Sequence, residues 1–450
     1  MKRRTAIKNI GALSVACSIP AVLDAKTENA QSKVPTQETD ILVVGGGTAG
    51  VIAAIQAARA GCKTILVENG SWLGGTMTTG GVTFPGIFHA WGRQVIGGIG
   101  WELVEETVTL GGGKIPDFTI PPGRQHWRHQ VHINGPLYAL IAEEKCLQAG
   151  VTIRYYETPV QIKMKNGKWH VDVVGKGTHY RIICDQLVDC TGNALVVSMC
   201  GFHLIREEEI QPGSLIFELG GYDVKKLDPD DLNKRFKQAI ADGTLLKTDA
   251  YSGIMSLLNA KGGLATQHVM DADSTTSRTH TQTNIRGRES MLRIIRFVRS
   301  LPGCENAYIS KMQPETSIRE TNRIDGIYQV THDDYVEGRV FEDSLSYSFY
   351  PIDLHIAEGV RPKHLQEGKV ATVPLRALVP KNSKNLIVAG RCVSSDRLAN
   401  SALRVQASCM GMGQVAGAAA ALACLRNTTP LGVPIPEIKK ILENCQAIVP

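Results

Sequence analysis

The chain has 450 residues, more than one ordinary domain of about 100–200 residues, so two domains or one large domain with an insertion are expected. Hydrophobic residues at 43% and charged residues at 20% are globular values and exclude disordered, fibrous and coiled-coil chains. The net charge of +6, much of it at Lys2, Arg3, Arg4 and Lys8, gives no reason to expect nucleic acid or an anionic membrane surface as partner.

Residues 1–25 read as an export signal: a basic start, an apolar run from Ile10 to Val22, and a small residue at Ala25. Arg3-Arg4-Thr5-Ala6-Ile7-Lys8 resembles the twin-arginine type, which leads to an expected periplasmic location; an ordinary secretory signal is the other reading. Residues 26–38 are polar and expected to be a flexible lead-in. No later stretch reaches about 18 uninterrupted apolar residues, so no transmembrane segment is expected. The 11 cysteines never fall in a CxxC spacing, and Cys190, Cys200, Cys392 and Cys424 sit among small or apolar neighbours. Neither a redox-active dithiol nor a structural zinc site is expected, and no other metal.

Asp40–Val44 is a β-branched apolar run, read as a buried strand. Gly45-Gly46-Gly47-Thr48-Ala49-Gly50 follows at once, then a helix over Val51–Ala60 and a second strand, Lys63–Val67, closed by Glu68. This is G-x-G-x-x-G in full strand–turn–helix–strand context. Gly45 permits the tight turn, Gly47 lets a pyrophosphate approach the backbone, and Gly50 lets helix and strand pack closely. Glu68 is placed to accept the hydroxyls of an adenosine ribose. A dinucleotide site is expected, with Thr48 and Ala49 giving N–H groups at the helix start. The chain then continues through Asn69, Gly74, Gly75 and Thr76 in an irregular Gly/Thr-rich stretch instead of returning to βαβ alternation, which favours a buried FAD.

Further along, Val188–Gly192 reads as a strand ending in a turn at Thr191 and Gly192, after a β-meander over 151–182. Leu386–Ala389 reads as another buried parallel strand, followed by Gly390 and Arg391. Ala407–Ala423, with Gly411, Gly413 and Gly417, is small and apolar on every face and predicts a buried helix. The blocks Asp40–Gly81, Gln186–Ala194 and Asn385–Gly417, with Arg319–Gly326 and Tyr350–His355, resemble the bacterial FAD-dependent oxidoreductases of the two-dinucleotide-fold group, often labelled xanthan-lyase-like. The resemblance implies an α/β fold: a Rossmann-type FAD-binding domain with β-meander and an inserted α+β substrate domain. The expected organisation is 39–204 and 371–450 for the FAD-binding domain and 205–370 for the substrate cover. It also implies contacts to FAD from Gly390, Gly413 and the helix start near Arg404. Arg391 stands where relatives carry an acid, which leaves the ribityl contact open.

Within 205–370, Ser274–Asn284 reads as a polar loop near the substrate entrance and Arg286–Arg299 as a helix with a basic outer face. Asp353 and His355, two apart, project from one face of a strand, where the carboxylate can orient the imidazole for proton transfer near pH 6.5. Arg319 and Arg404 are candidates for holding a substrate anion or donating a proton; an ion-pair network of Arg319 and Arg323 with Glu315 and Glu320 is the competing reading. His89 is a weaker candidate. A small-molecule substrate and an unidentified electron donor or acceptor are expected, with no second fingerprint for NAD(P)H. Three functions stay open: hydride exchange with a sugar or hydroxy or unsaturated acid, an ene-reductase fed by external electrons, and a carbohydrate lyase or non-catalytic flavin protein.

Overall fold

The strand that opens the fold runs Thr36–Val44, longer than its apolar half. Thr36–Glu38, expected to be flexible, pair in parallel with Arg181–Ile183, because the long strand Thr178–Asp189 offers that edge a full ladder. The computed structural model describes residues 34–122, 125–357, 359–360 and 362–450. The export-signal reading lies outside those residues.

A seven-stranded sheet carries the fold. Thr152–Tyr155, Thr64–Glu68, Thr36–Val44 and Thr178–Asp189 lie side by side and parallel. Thr178–Asp189 then serves two neighbours. Its first half pairs antiparallel with Lys168–Gly175, which pairs with Thr158–Lys165 to make the meander; its last residues pair in parallel with Leu386–Val388. Ile41, Leu42 and Val43 are fully buried, as expected for a strand covered on both faces. The β-branched run therefore forms a central strand and ends at the glycine turn.

The helix Thr48–Arg59 packs on the twenty-residue helix Gln406–Leu425. Gly413 lies on Ala49 and Gly417 on Ala53, so the two helices run in the same direction and both begin at one edge of the sheet. A Cβ at Gly413 would stand 2.3 Å from the Ala49 carbonyl oxygen, and one at Gly417 2.3 Å from that of Ala53. Gln406–Leu425 is long and apolar enough to cross a membrane, but 83% of its apolar window is buried in this protein's interior. Gly50 is tighter still: a Cβ would meet the Gly45 carbonyl oxygen at 1.8 Å. Gly50→Ala is expected to lower stability by about 3 kcal/mol or more, because backbone on both sides must move, and a thermal melt checks it.

Residues 215–307 hold an apolar core of their own, from Leu215 and Phe217 to Met291, Phe297 and Ala307. The helix there spans Ser277–Arg299, so the stretch expected to be a loop is helical from Ser277 onward. Its polar residues face outward, and Thr276 caps it by accepting from the Thr279 N–H at 3.1 Å. By Cα proximity, Pro35–Pro450 forms one compact unit.

Candidate active site

One cavity of about 980 Å³ runs from the glycine turn to Asp353 and His355. At its first end, Gly45 has φ +98°, a left-handed conformation that favours glycine, and a Cβ there would stand 2.6 Å from the Cys190 carbonyl oxygen. Gly47 is different: a Cβ would meet no atom within 4 Å. Open space at Gly47, a helix start with no side-chain cap and the adjoining cavity are what an approaching pyrophosphate requires. Glu68 accepts from the Gly46 N–H at 2.7 Å and the Gly70 N–H at 2.6 Å. Burial pushes its carboxyl upward against those two amides. A carboxylate has about four acceptor sites, so with the Asn69 N–H also acting on it, room remains for a ribose hydroxyl. These features fit a dinucleotide.

Thr48, Ala49, Asn69, Gly75, Thr76, Thr191, Gly192, Gly390 and Arg391 also line the cavity, as expected for cofactor contacts. Gly50, Gly74 and Gly413 do not. Gly50 and Gly413 serve helix packing, and Gly74 donates its N–H to the Gly46 carbonyl at 2.9 Å, fixing the turn from behind. The Thr191–Gly192 turn is held by fully buried Asp189, which accepts from the Thr191 N–H at 3.0 Å, its hydroxyl at 2.7 Å and the Val197 N–H at 3.1 Å. Arg391 donates to the Gly192 carbonyl at 2.9 Å, the Ile318 carbonyl at 2.7 Å and Asn193 Oδ1 at 2.8 Å. It fastens three segments of the cavity wall together, a task an acid could not perform with carbonyl partners.

At the other end, the His355 ring joins two partners: Nε2 lies 3.3 Å from Asp353 Oδ2 and Nδ1 lies 2.9 Å from His268 Nε2. His268 stacks on Tyr251 with ring centroids 3.7 Å apart. Arg404 donates to the Asp353 carbonyl at 3.1 Å and Gln211 Oε1 at 3.3 Å. Arg319 donates to the Pro212 carbonyl at 2.6 Å and to Ser214 Oγ at 3.1 Å. The expected ion-pair network forms without it: Arg323 pairs with Glu207 and Glu320, and Arg397 shares Glu320. Arg319 is therefore a cation with neutral acceptors.

Charge follows from this arrangement. Burial alone would raise the Asp353 carboxyl, but the His355 hydrogen bond and the two arginines hold it at about 2. Burial, then the Arg319 charge, lowers His355 to about 4, although Asp353 pulls the other way. Burial and Arg319 take His268 to about 3. Burial lowers Arg319 itself to about 10, with Arg404 adding repulsion. Near neutrality the site holds two guanidiniums, one carboxylate and two neutral imidazoles. With Asp353 ionised, Nε2–H of His355 is the donor on that link and Nε2–H of His268 donates to Nδ1 of His355. The His268 ring also meets the Ile356 backbone, a contact that favours its protonated form against burial.

The family model for FAD dependent oxidoreductases matches residues 40–442. The chain belongs to that family. This FAD-dependent oxidoreductase takes FAD as its cofactor, and the family description does not carry the xanthan-lyase-like label. Mitochondrial dihydrolipoyl dehydrogenase of Caenorhabditis elegans is 54% identical over 41 residues, 9% of this chain and 8% of its own length. The acrylate reductase flavoprotein subunit of Shewanella woodyi is 39% identical over 84 residues, 18% of this chain and 16% of its own. The chain thus matches under a fifth of either relative. Among solved structures, a geranylgeranyl bacteriochlorophyll reductase-like protein of Thermoplasma acidophilum shares 14% identity at TM-score 0.43, covering 91% of this chain and 84% of that one. The p-nitrophenol 4-monooxygenase of Pseudomonas putida shares 12% at TM-score 0.39, covering 91% and 85%.

Sequence reasoning passed over His268, Gln211 and Tyr251 in this oxidoreductase. Gln211 and His268 lie far along the chain from His355, and nothing local marks them or Tyr251. His89, offered as a weaker candidate, stacks on Phe118 at 3.6 Å within an aromatic cluster and does not line the cavity.

Proposed function

We propose that this FAD-dependent oxidoreductase exchanges hydride between the flavin and a small carboxylic acid whose carboxylate is held by Arg319 and Arg404. One observation carries the reading: the Arg319 and Arg404 guanidiniums line the cavity beside a single carboxylate, Asp353, which already serves His355 and lies 3.6 Å from Arg404. Arg404 Nε is buried with no acceptor among the described residues, so a donor is left over at this end. Buried donors without partners cost about 1–3 kcal/mol each, which a bound carboxylate would recover. Gln211, Tyr251, His268 and Arg319 all come from the 205–370 region, which supports its role as substrate cover.

The flavin, when bound, accepts or supplies the hydride. The chain's own part is the proton. A substrate anion on the arginines offsets the Arg319 charge, which after burial is the second cause that keeps the imidazoles neutral, so the pair takes up a proton at His268 more readily. Nε2–H of His268 then passes to Nδ1 of His355 as Nε2–H of His355 passes to the substrate. Both rings end neutral and one proton has been delivered; the reverse order removes one. The local likeness to an acrylate reductase subunit favours a second, narrower reading, reduction of an unsaturated acid.

Stopped-flow mixing of reduced enzyme with unsaturated acids, and of oxidised enzyme with 2-hydroxy acids, tests both. An acid that turns over should outperform its methyl ester by about 10–100-fold, the effect of one or two hydrogen bonds to charged groups. Equal rates for acid and ester would remove the carboxylate from the proposal. At the cofactor end, Glu68→Ala should weaken FAD binding at least about tenfold by the same measure, read as the dissociation constant of apoprotein for FAD.

A further inference from the structure

The Asp353–His355 end of the cavity carries a run of aromatic rings that the proton path does not use. Tyr251 lies edge-on to His355, with ring centroids 6.2 Å apart. Tyr350 stands three residues before Asp353. Its ring lies 5.4 Å from that of His126, and the His126 ring lies 5.5 Å from that of Trp127. All four line the same cavity as Arg319 and Arg404. Tyr350 is buried and Trp127 is 55% exposed, so the rings lead from this end out to solvent.

The polar atoms of these rings already have partners inside the protein. Tyr251 donates its hydroxyl proton to the Ala265 carbonyl at 2.9 Å, and the Tyr350 hydroxyl accepts from Gln130 Nε2 at 2.7 Å. His126 Nδ1 lies 3.1 Å from His364 Nε2. Burial, then His364, lowers His126 to about 4 although Asp353 pulls the other way, so its ring is uncharged near neutrality. Leu264 and Pro362 add apolar surface to the same cavity. What the rings offer a ligand is therefore their faces and edges, while cationic donors stand at Arg319 and Arg404.

We infer that the acid taken by this enzyme has an apolar ring as its body, an arene or carbocycle lying along Tyr350, His126 and Trp127 while its carboxylate sits on Arg319 and Arg404. The inference rests on the carboxylate reading above and concerns the rest of the molecule. A sugar acid is the polar alternative, with a hydroxyl on almost every ring carbon. Each hydroxyl buried without a partner is penalised, and the hydroxyls and imidazole of these rings are already engaged. An apolar ring needs no such partner: it gains by leaving water and by offset or edge-on packing against the aromatic side chains.

Titration of the oxidised holoenzyme with saturated acids, followed by the flavin absorbance, tests this. 3-Phenylpropanoate should bind about 10–100-fold more tightly than propanoate, the gain from burying one phenyl group, and glucuronate no more tightly than propanoate. Trp127→Ala should cut the phenyl advantage about 3–10-fold and leave propanoate affinity and the dissociation constant for FAD unchanged. No binding of 3-phenylpropanoate, binding no tighter than that of propanoate, or tighter binding of glucuronate overturns the inference. So does a loss of FAD affinity in Trp127→Ala, which would make the rings part of the cofactor site. The wild-type comparison decides without the variant. 3-Phenylpropanamide separates the two readings. If it matches 3-phenylpropanoate while both surpass propanoate, the carboxylate reading fails and the apolar body stands; if both acids bind alike and surpass their amides, the carboxylate stands and the apolar body fails.

Discussion

His355→Gln is expected to leave a folded, yellow protein whose flavin reacts with substrate about 10²–10⁴-fold more slowly, the usual loss when a general acid or base is removed. Glutamine has similar bulk and can hydrogen-bond to Asp353, so the neighbouring groups keep partners. It cannot carry a proton from His268 to the cavity. Artificial one-electron donors, which need no such transfer, should reduce the flavin at the wild-type rate. A merely structural histidine would give the opposite pattern: lost FAD, a lower melting temperature and a normal rate per bound flavin. Stopped-flow kinetics beside a thermal melt separates the two, and normal substrate kinetics would end the assignment.

The same residue sets an acid limit on stability. An unperturbed histidine titrates near 6.5, whereas His355 and His268 are held at about 4 and about 3 in the fold. Below about 6.5 the unfolded chain takes up protons that the folded chain refuses, so stability falls as pH drops from there toward those values. The ordinary imidazole titration expected from sequence is displaced because burial and Arg319 act together, and neither is visible in the spacing of Asp353 and His355.

What the sequence shows and hides divides along physical lines. The strand, turn and helix at Asp40–Arg59 were legible because each residue's role is local: β-branched runs, a glycine at positive φ, a helix start without a cap. The Asp353–His355 pair was legible as neighbours, but not for the reason expected: the strand is only His355–Ile356, Asp353 lies before it, and the two side chains still meet at 3.3 Å. His268 was not legible, because its partner is 87 positions away and reaches it only through the packing of 205–370 on the sheet. Arg391 shows the intermediate case. Its departure from the family pattern was visible, but its three acceptors are backbone and amide oxygens brought in by other segments. Ser274–Asn284 misled because polar composition resembles a loop; the Thr276 cap and one buried helical face, with Thr283 and Gly287, decided otherwise.

Arg319→Met is expected to change two observables that a structural role would not link. Methionine keeps much of the apolar stem and removes the charge, and the Pro212 carbonyl and Ser214 Oγ each lose one hydrogen bond. Binding of a carboxylate substrate or unreactive analogue should weaken by about 10–150-fold, the range for a lost charge-assisted hydrogen bond. The charge of Arg319 is also the second cause, after burial, of the depressed His355 value. Its removal should therefore raise the titration of His355 above about 4, toward the ordinary 6.5 but short of it, since burial remains. The wild-type protein should show a related effect on binding a carboxylate near pH 5–6: net proton uptake, because the anion does to His355 what the substitution does. Calorimetry in buffers of different ionisation enthalpy measures that uptake, and in Arg319→Met it should shrink together with the affinity. Weaker binding with an unmoved His355 titration would leave Arg319 as an anchor and break its coupling to the proton path. Unchanged binding with a raised titration would transfer the substrate carboxylate to Arg404 alone.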